Sequence, residues 1–62
     1  MAVYKFPMEH LNGVMAHIAA YKDMVVDSMS NDGVDYTVSV NIPIVQDQVD
    51  HLNENYSLVE VV

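Results

Sequence analysis

The side chains of this sequence best suited to hold a metal or move a proton near neutral pH are three histidines and nine carboxylates, since it has no cysteine. His10 and His17 stand seven residues apart, two turns of a helix, and so fall on similar sides of it. Neither Glu9 nor Asp23 completes a compact site with them. Asp47 and His51 share i, i+4 spacing, which can place two ligands on one helix face. Two ligands do not make a site, and no HExxH pattern is present. The expectation is that the protein holds no metal and no cofactor. Ser28, Ser30, Ser39 and Ser57 lie in turn-like or strand-like contexts without an adjacent base, and no GxSxG occurs. Gly13 and Gly33 are too far apart for a P-loop or a dinucleotide fingerprint. Catalysis is not expected.

The carboxylates say more. On a helical wheel Asp47, Asp50 and Glu54 fall within about 60° of one another, with Val45, Val49, Leu52 and Tyr56 nearly opposite. That pattern predicts an acidic ridge anchored by an apolar underside. Asp23 and Asp27 form a second i, i+4 acidic pair, and Asp35 adds an acid on the wet side of a strand. Like charges at helical spacing cost a few tenths of a kcal/mol, so local helix stability alone does not favour them. Carboxylates spaced in this way can imitate phosphates before a basic groove; the plain alternative is a solvated face. Asp47, Asp50, Glu54, Asp23, Asp27 and Asp35 are the expected partner-binding residues.

Charge narrows the partner. Lys5 and Lys22 are the only lysines, arginine is absent, and the net charge is −7. Direct nucleic-acid binding needs Lys or Arg to displace counterions from phosphates, and an anionic membrane would repel the chain. A basic protein surface is the complementary partner. No stretch reaches the about 18 apolar residues of a membrane span, and Met1–Pro7 lacks the charged and apolar regions of a signal peptide. A cytoplasmic setting is expected.

The elements that must position these residues can be read from periodicity. Ala2–Phe6 suits a short strand, with Pro7 able to open a helix. From Met8 to Met29 the spacing is helical: Met8, Leu11, Met15, Ile18, Val25, Val26 and Met29 share one side, and Lys22 lies within that stripe. Asn12-Gly13 is a hairpin dipeptide, but its flanks do not alternate. Either the helix runs through it or Asn12 caps a helix from Gly13, with Val14–Met29 as its main body. Gly13, Ala16, His17, Ala20 and Met24 occupy the opposite side, where small residues would let a second copy approach; they are the expected dimer interface. Ser30-Asn31-Asp32-Gly33 is a stop and turn. Val34, Tyr36, Val38, Val40 and Ile42 then alternate with Asp35, Thr37, Ser39 and Asn41, the period of a half-buried strand ended by Pro43. Asp47–Asn55 suits a short helix, and Ser57–Val62 a closing strand.

These segments predict one small α+β domain over residues 1–62, in β-α-β-α-β order. A small antiparallel or mixed three-stranded sheet would pack on one long helix, with a second, short helix beside it. At 62 residues such a domain is marginal by itself, so a homodimer is expected. The functional expectation is an acidic protein-binding module. Its most concrete form is a phage-type inhibitor, an analogy from size and charge, that mimics nucleic-acid phosphates and blocks a DNA- or RNA-acting enzyme. The alternative is a self-assembling structural subunit. A third reading is a small-molecule binder at a subunit interface, with Tyr36 or Tyr56 stacking on the ligand.

Overall fold

The computed structural model describes residues 2–61. Its elements are β1 (Ala2–Pro7), a 3₁₀ turn at Met8–His10, α1 (Leu11–Ala19), β2 (Val26–Asn31), β3 (Asp35–Val40), α2 (Gln46–Tyr56) and β4 (Val59–Glu60). The strands form one four-stranded sheet in the order β2-β3-β1-β4, and all neighbours run antiparallel. This β-α-β-β-α-β arrangement is a split βαβ, or ferredoxin-like, topology. The α+β class agrees with the sequence pattern. The sheet has four strands where three were expected, and the single long helix is replaced by a short one.

The core lies on one face of the sheet. Register pairs Tyr4 with Val38, Phe6 with Tyr36 and Ala2 with Val40, so these side chains share a face. Val14 and Ile18 of α1 and Leu52 of α2 join Tyr4, Phe6, Val38, Val40, Ile44 and Leu58 in one buried cluster. The Tyr4 hydroxyl accepts the Ile44 N–H at 2.8 Å, which gives the phenol's polar end a partner within the core. Helix α2 ends with Ser57 in the left-handed region, at φ 56°. The Leu58 N–H reaches the Leu52 carbonyl and the Ser57 N–H reaches that of Asn53. The Ser57 bond is the 5→1 closure of an αL helix end, and the two flanking leucines, Leu52 and Leu58, are both fully buried.

The largest departure lies between Ala20 and Met29. Helical spacing predicts one helix through Met29, but α1 stops at Ala19 and Val26–Asn31 is strand β2. Asn41 holds the intervening loop: its Oδ1 accepts the Val25 N–H at 2.7 Å, and its Nδ2 donates to the Asp23 carbonyl at 3.0 Å. The Asn41 N–H also donates to the Val25 carbonyl. Strand β2 is a sheet edge that is largely exposed on both faces, with a bulge between Val26 and Ser28. It therefore lacks the alternation that marks a half-buried strand, and its β state comes from the ladder to β3. Lys22, expected within an apolar stripe, is an exposed turn residue. Pro7 ends β1 instead of opening α1. The closing strand is only Val59–Glu60; Val62, within the predicted strand, lies outside the described residues.

Candidate protein-binding surface

Helix α2 carries the densest group of chemistry-bearing side chains. Its apolar underside is Val49, Leu52 and Tyr56, with Leu52 fully buried; Val45, expected on that face, is an exposed residue just before the helix. Anchoring by Leu52 turns Asp47, Asp50 and Glu54 outward, and all three are exposed. Asp47 lies in the first turn, where a carboxylate opposes the positive helix end. Asp50 Oδ1 accepts a hydrogen bond from Gln46 Nε2 at 3.0 Å. Among the described residues none of the three carboxylates is ion-paired.

The other expected acids do not join this ridge. Asp23 sits in the loop after α1 and Asp27 at the β2 bulge, so they are not a helical pair. Asp35 is on β3 and pairs with Lys5 Nζ at 3.7 Å. A further acid, Asp32, serves the β2–β3 turn. Its Oδ1 accepts the N–H groups of Asp35 at 2.8 Å and Val34 at 2.9 Å. Those two hydrogen bonds, the one from Asp35 foremost, hold its carboxyl below the ordinary aspartate value.

Sequence spacing did not show the seam between the helices. Tyr56 of α2 lies against His10 and His17, with ring centroids 5.6 and 6.1 Å apart, and His17 meets His51 at 5.4 Å. Gly13 is the small residue that admits the Tyr56 ring. Two of the residues expected at a dimer interface, Gly13 and His17, thus face α2 of the same chain. Met24 packs partly buried against the core, while Ala16 and Ala20 are exposed. The expected small-residue side is not one continuous surface, because the helix that would carry it ends early. Tyr36, the other expected stacking residue, rests on Phe6 at 5.9 Å. A glycine one turn from histidine on either side was the only local signal of the seam, and it names no partner. Among the described residues there is no cavity and no convergence of three His, Cys, Asp or Glu side chains. No helix among them is long and apolar enough to cross a membrane.

The chain matches no family model, no curated protein and no solved structure. The topology alone assigns no activity, since one fold hosts many functions. The functional reading therefore rests on the surface.

Proposed function

We propose that this chain is a non-catalytic, acidic protein-binding module that offers the outer face of α2 to a basic surface on another protein. The supporting observation is the ridge of Asp47, Asp50 and Glu54, three exposed carboxylates without an ion-pair partner among the described residues, on a helix anchored from beneath by Leu52. The ridge rises about 10 Å along the helix axis, in steps of about 4.5 and 6 Å. A net charge of −7 directs encounter toward positive partners and makes it fast and salt-sensitive. The concrete form of this reading is an inhibitor of the phage type, seated in the groove where its target, a DNA- or RNA-acting enzyme in the cytoplasm, would hold phosphates. Asp23, Asp27 and Asp35 are not part of the ridge and are left out of this contact.

A pull-down from bacterial lysate at low and high salt tests the reading. The expected result is capture of a nucleic-acid-acting enzyme that weakens as salt rises and is lost when Asp47→Asn, Asp50→Asn and Glu54→Gln are combined. Capture that survives this triple substitution overturns the assignment of the ridge. An assembly subunit without an inhibitory role, the alternative, would instead capture only copies of itself.

A further inference from the structure

Helix α1 ends without a local stop. The residue after it, Ala20, has φ −74° and ψ −16°, which is still helical backbone. Among the described residues only Gly33 and Ser57 take positive φ, so α1 lacks the left-handed closure that ends α2 at Ser57. No glycine or proline stands between Gly13 and Gly33. Beyond Ala19 the chain keeps turning. The Ala20 N–H donates to the His17 carbonyl at 3.2 Å, the Tyr21 N–H to that of Ile18 at 3.1 Å and the Met24 N–H to that of Tyr21 at 3.3 Å. These are 3₁₀-type bonds, close relatives of the α-helical ladder.

Two apolar side chains are poorly used where they stand. Val25 is 57% exposed and Met29 is 38% exposed. On a helix continued from α1, both fall within about 20° of Ile18, a residue buried in the core. The segment therefore keeps the apolar period of a helix while lying as an edge strand. What holds it as a strand is remote in sequence: the ladder to β3 and the three hydrogen bonds that Asn41 makes with Val25 and Asp23.

We propose that residues 20–31 are a two-state element, in which β2 can leave the sheet edge and α1 then extends toward Met29. The second state is a three-stranded sheet, β3-β1-β4, with one long helix on it. The outer edge of β3 is covered by β2 in the first state and open in the second, where its backbone groups can pair with another strand. The segment is in effect a strap over a sheet edge. Met24 and Val26, partly buried against the core, join the ladder in favouring the strand. A helix would also bring Asp23 and Asp27 to i, i+4 spacing, where like charges repel. Strand is thus the major state. No residue of α2 takes part, so the inference is independent of the acidic ridge.

Carbon-13 saturation-transfer NMR on the full chain, which reads the Cα shifts of a minor state in exchange with the major one, tests the proposal. The expected result is a minor state with helical shifts over Lys22–Met29. Asn41→Ala, which removes the two side-chain bonds to the loop, should raise its population at least about fivefold, since each such bond carries about 1 kcal/mol. Lys22→Gly, at an exposed turn residue, should lower it about threefold in either background, because glycine disfavours a helix interior. Hydrogen exchange of the wild-type protein supplies a readout that holds even if Asn41→Ala fails to fold. The β2 amides bonded to β3 should exchange through an opening in which the β1 amides stay protected. A β2 that opens only together with β1, or an open segment with coil shifts, overturns the proposal.

Discussion

Gly13 faces the ring of Tyr56 so closely that a Cβ built there would lie 2.5 Å from ring atom Cε1. Two effects oppose each other at this position. Alanine is a better helix former than glycine by about 1 kcal/mol, but crowding a packed ring costs about 1–3 kcal/mol. The ring also touches His10 and His17, which limits its retreat. Gly13→Ala is therefore expected to destabilise the protein by about 1 kcal/mol, and to stabilise it by about 1 kcal/mol in a Tyr56→Ala background. Urea unfolding of the four proteins of this cycle measures the inversion. An equal effect in both backgrounds would show that the contact does not govern the site.

At the scale of elements, the β2–β3 turn is organised by side chains of its own residues. Gly33 adopts φ +93°, a conformation that favours glycine, and its N–H donates to Asn31 Oδ1 at 3.2 Å. Asp32 accepts two further N–H groups and is stabilised in its ionised form. Its carboxyl titrates lower in the folded state than its ordinary value of 3.8. Its contribution to stability is therefore fully present above that value and is lost as the pH falls through the lower folded value. Asp32→Asn removes this titration while leaving a side-chain acceptor. The acid limb of stability against pH should be flatter in the variant, as read by thermal unfolding at a series of acidic pH values. This turn was legible from Ser30-Asn31-Asp32-Gly33 because its bonds are local. The nine-residue alternation that follows was legible because β3 has one face against the core, although the regular strand is shorter, Asp35–Val40.

For the whole molecule, charge imbalance opposes compaction. Nine carboxylates and two lysines are drawn into a body with principal extents of 29 × 23 × 22 Å, so like charges repel across the whole of it at low salt, where the Debye length is about 30 Å, and much less at physiological salt. The melting temperature should rise as sodium chloride is raised from low to physiological ionic strength, and an uncharged osmolyte at equal osmolality separates screening from excluded-solute effects. A fall with salt would mean that local ion pairs such as Lys5–Asp35 outweigh the net repulsion. The helix-bearing side carries a solvent-facing acidic ridge, and the other side of the sheet carries the Lys5–Asp35 pair. Neither side could be drawn from composition, because composition carries the sum of the charges and not their placement.

The sequence by itself determined the α+β class, the turn at Gly33, the half-buried strand after it and the short acidic helix. Each is set by neighbours within a few residues and by a single buried face, so the period of apolar residues reports it directly. Only the tertiary structure decided where α1 ends, that Val26–Asn31 is a strand, and that Tyr56 meets His10 and His17 while His17 meets His51. An edge strand exposed on both sides shows no burial period; its hydrogen bonds are made to β3, and the loop before it is held by the distant Asn41. Spacing along a chain can place a residue on a face, but what that face meets depends on segments folded against it from elsewhere.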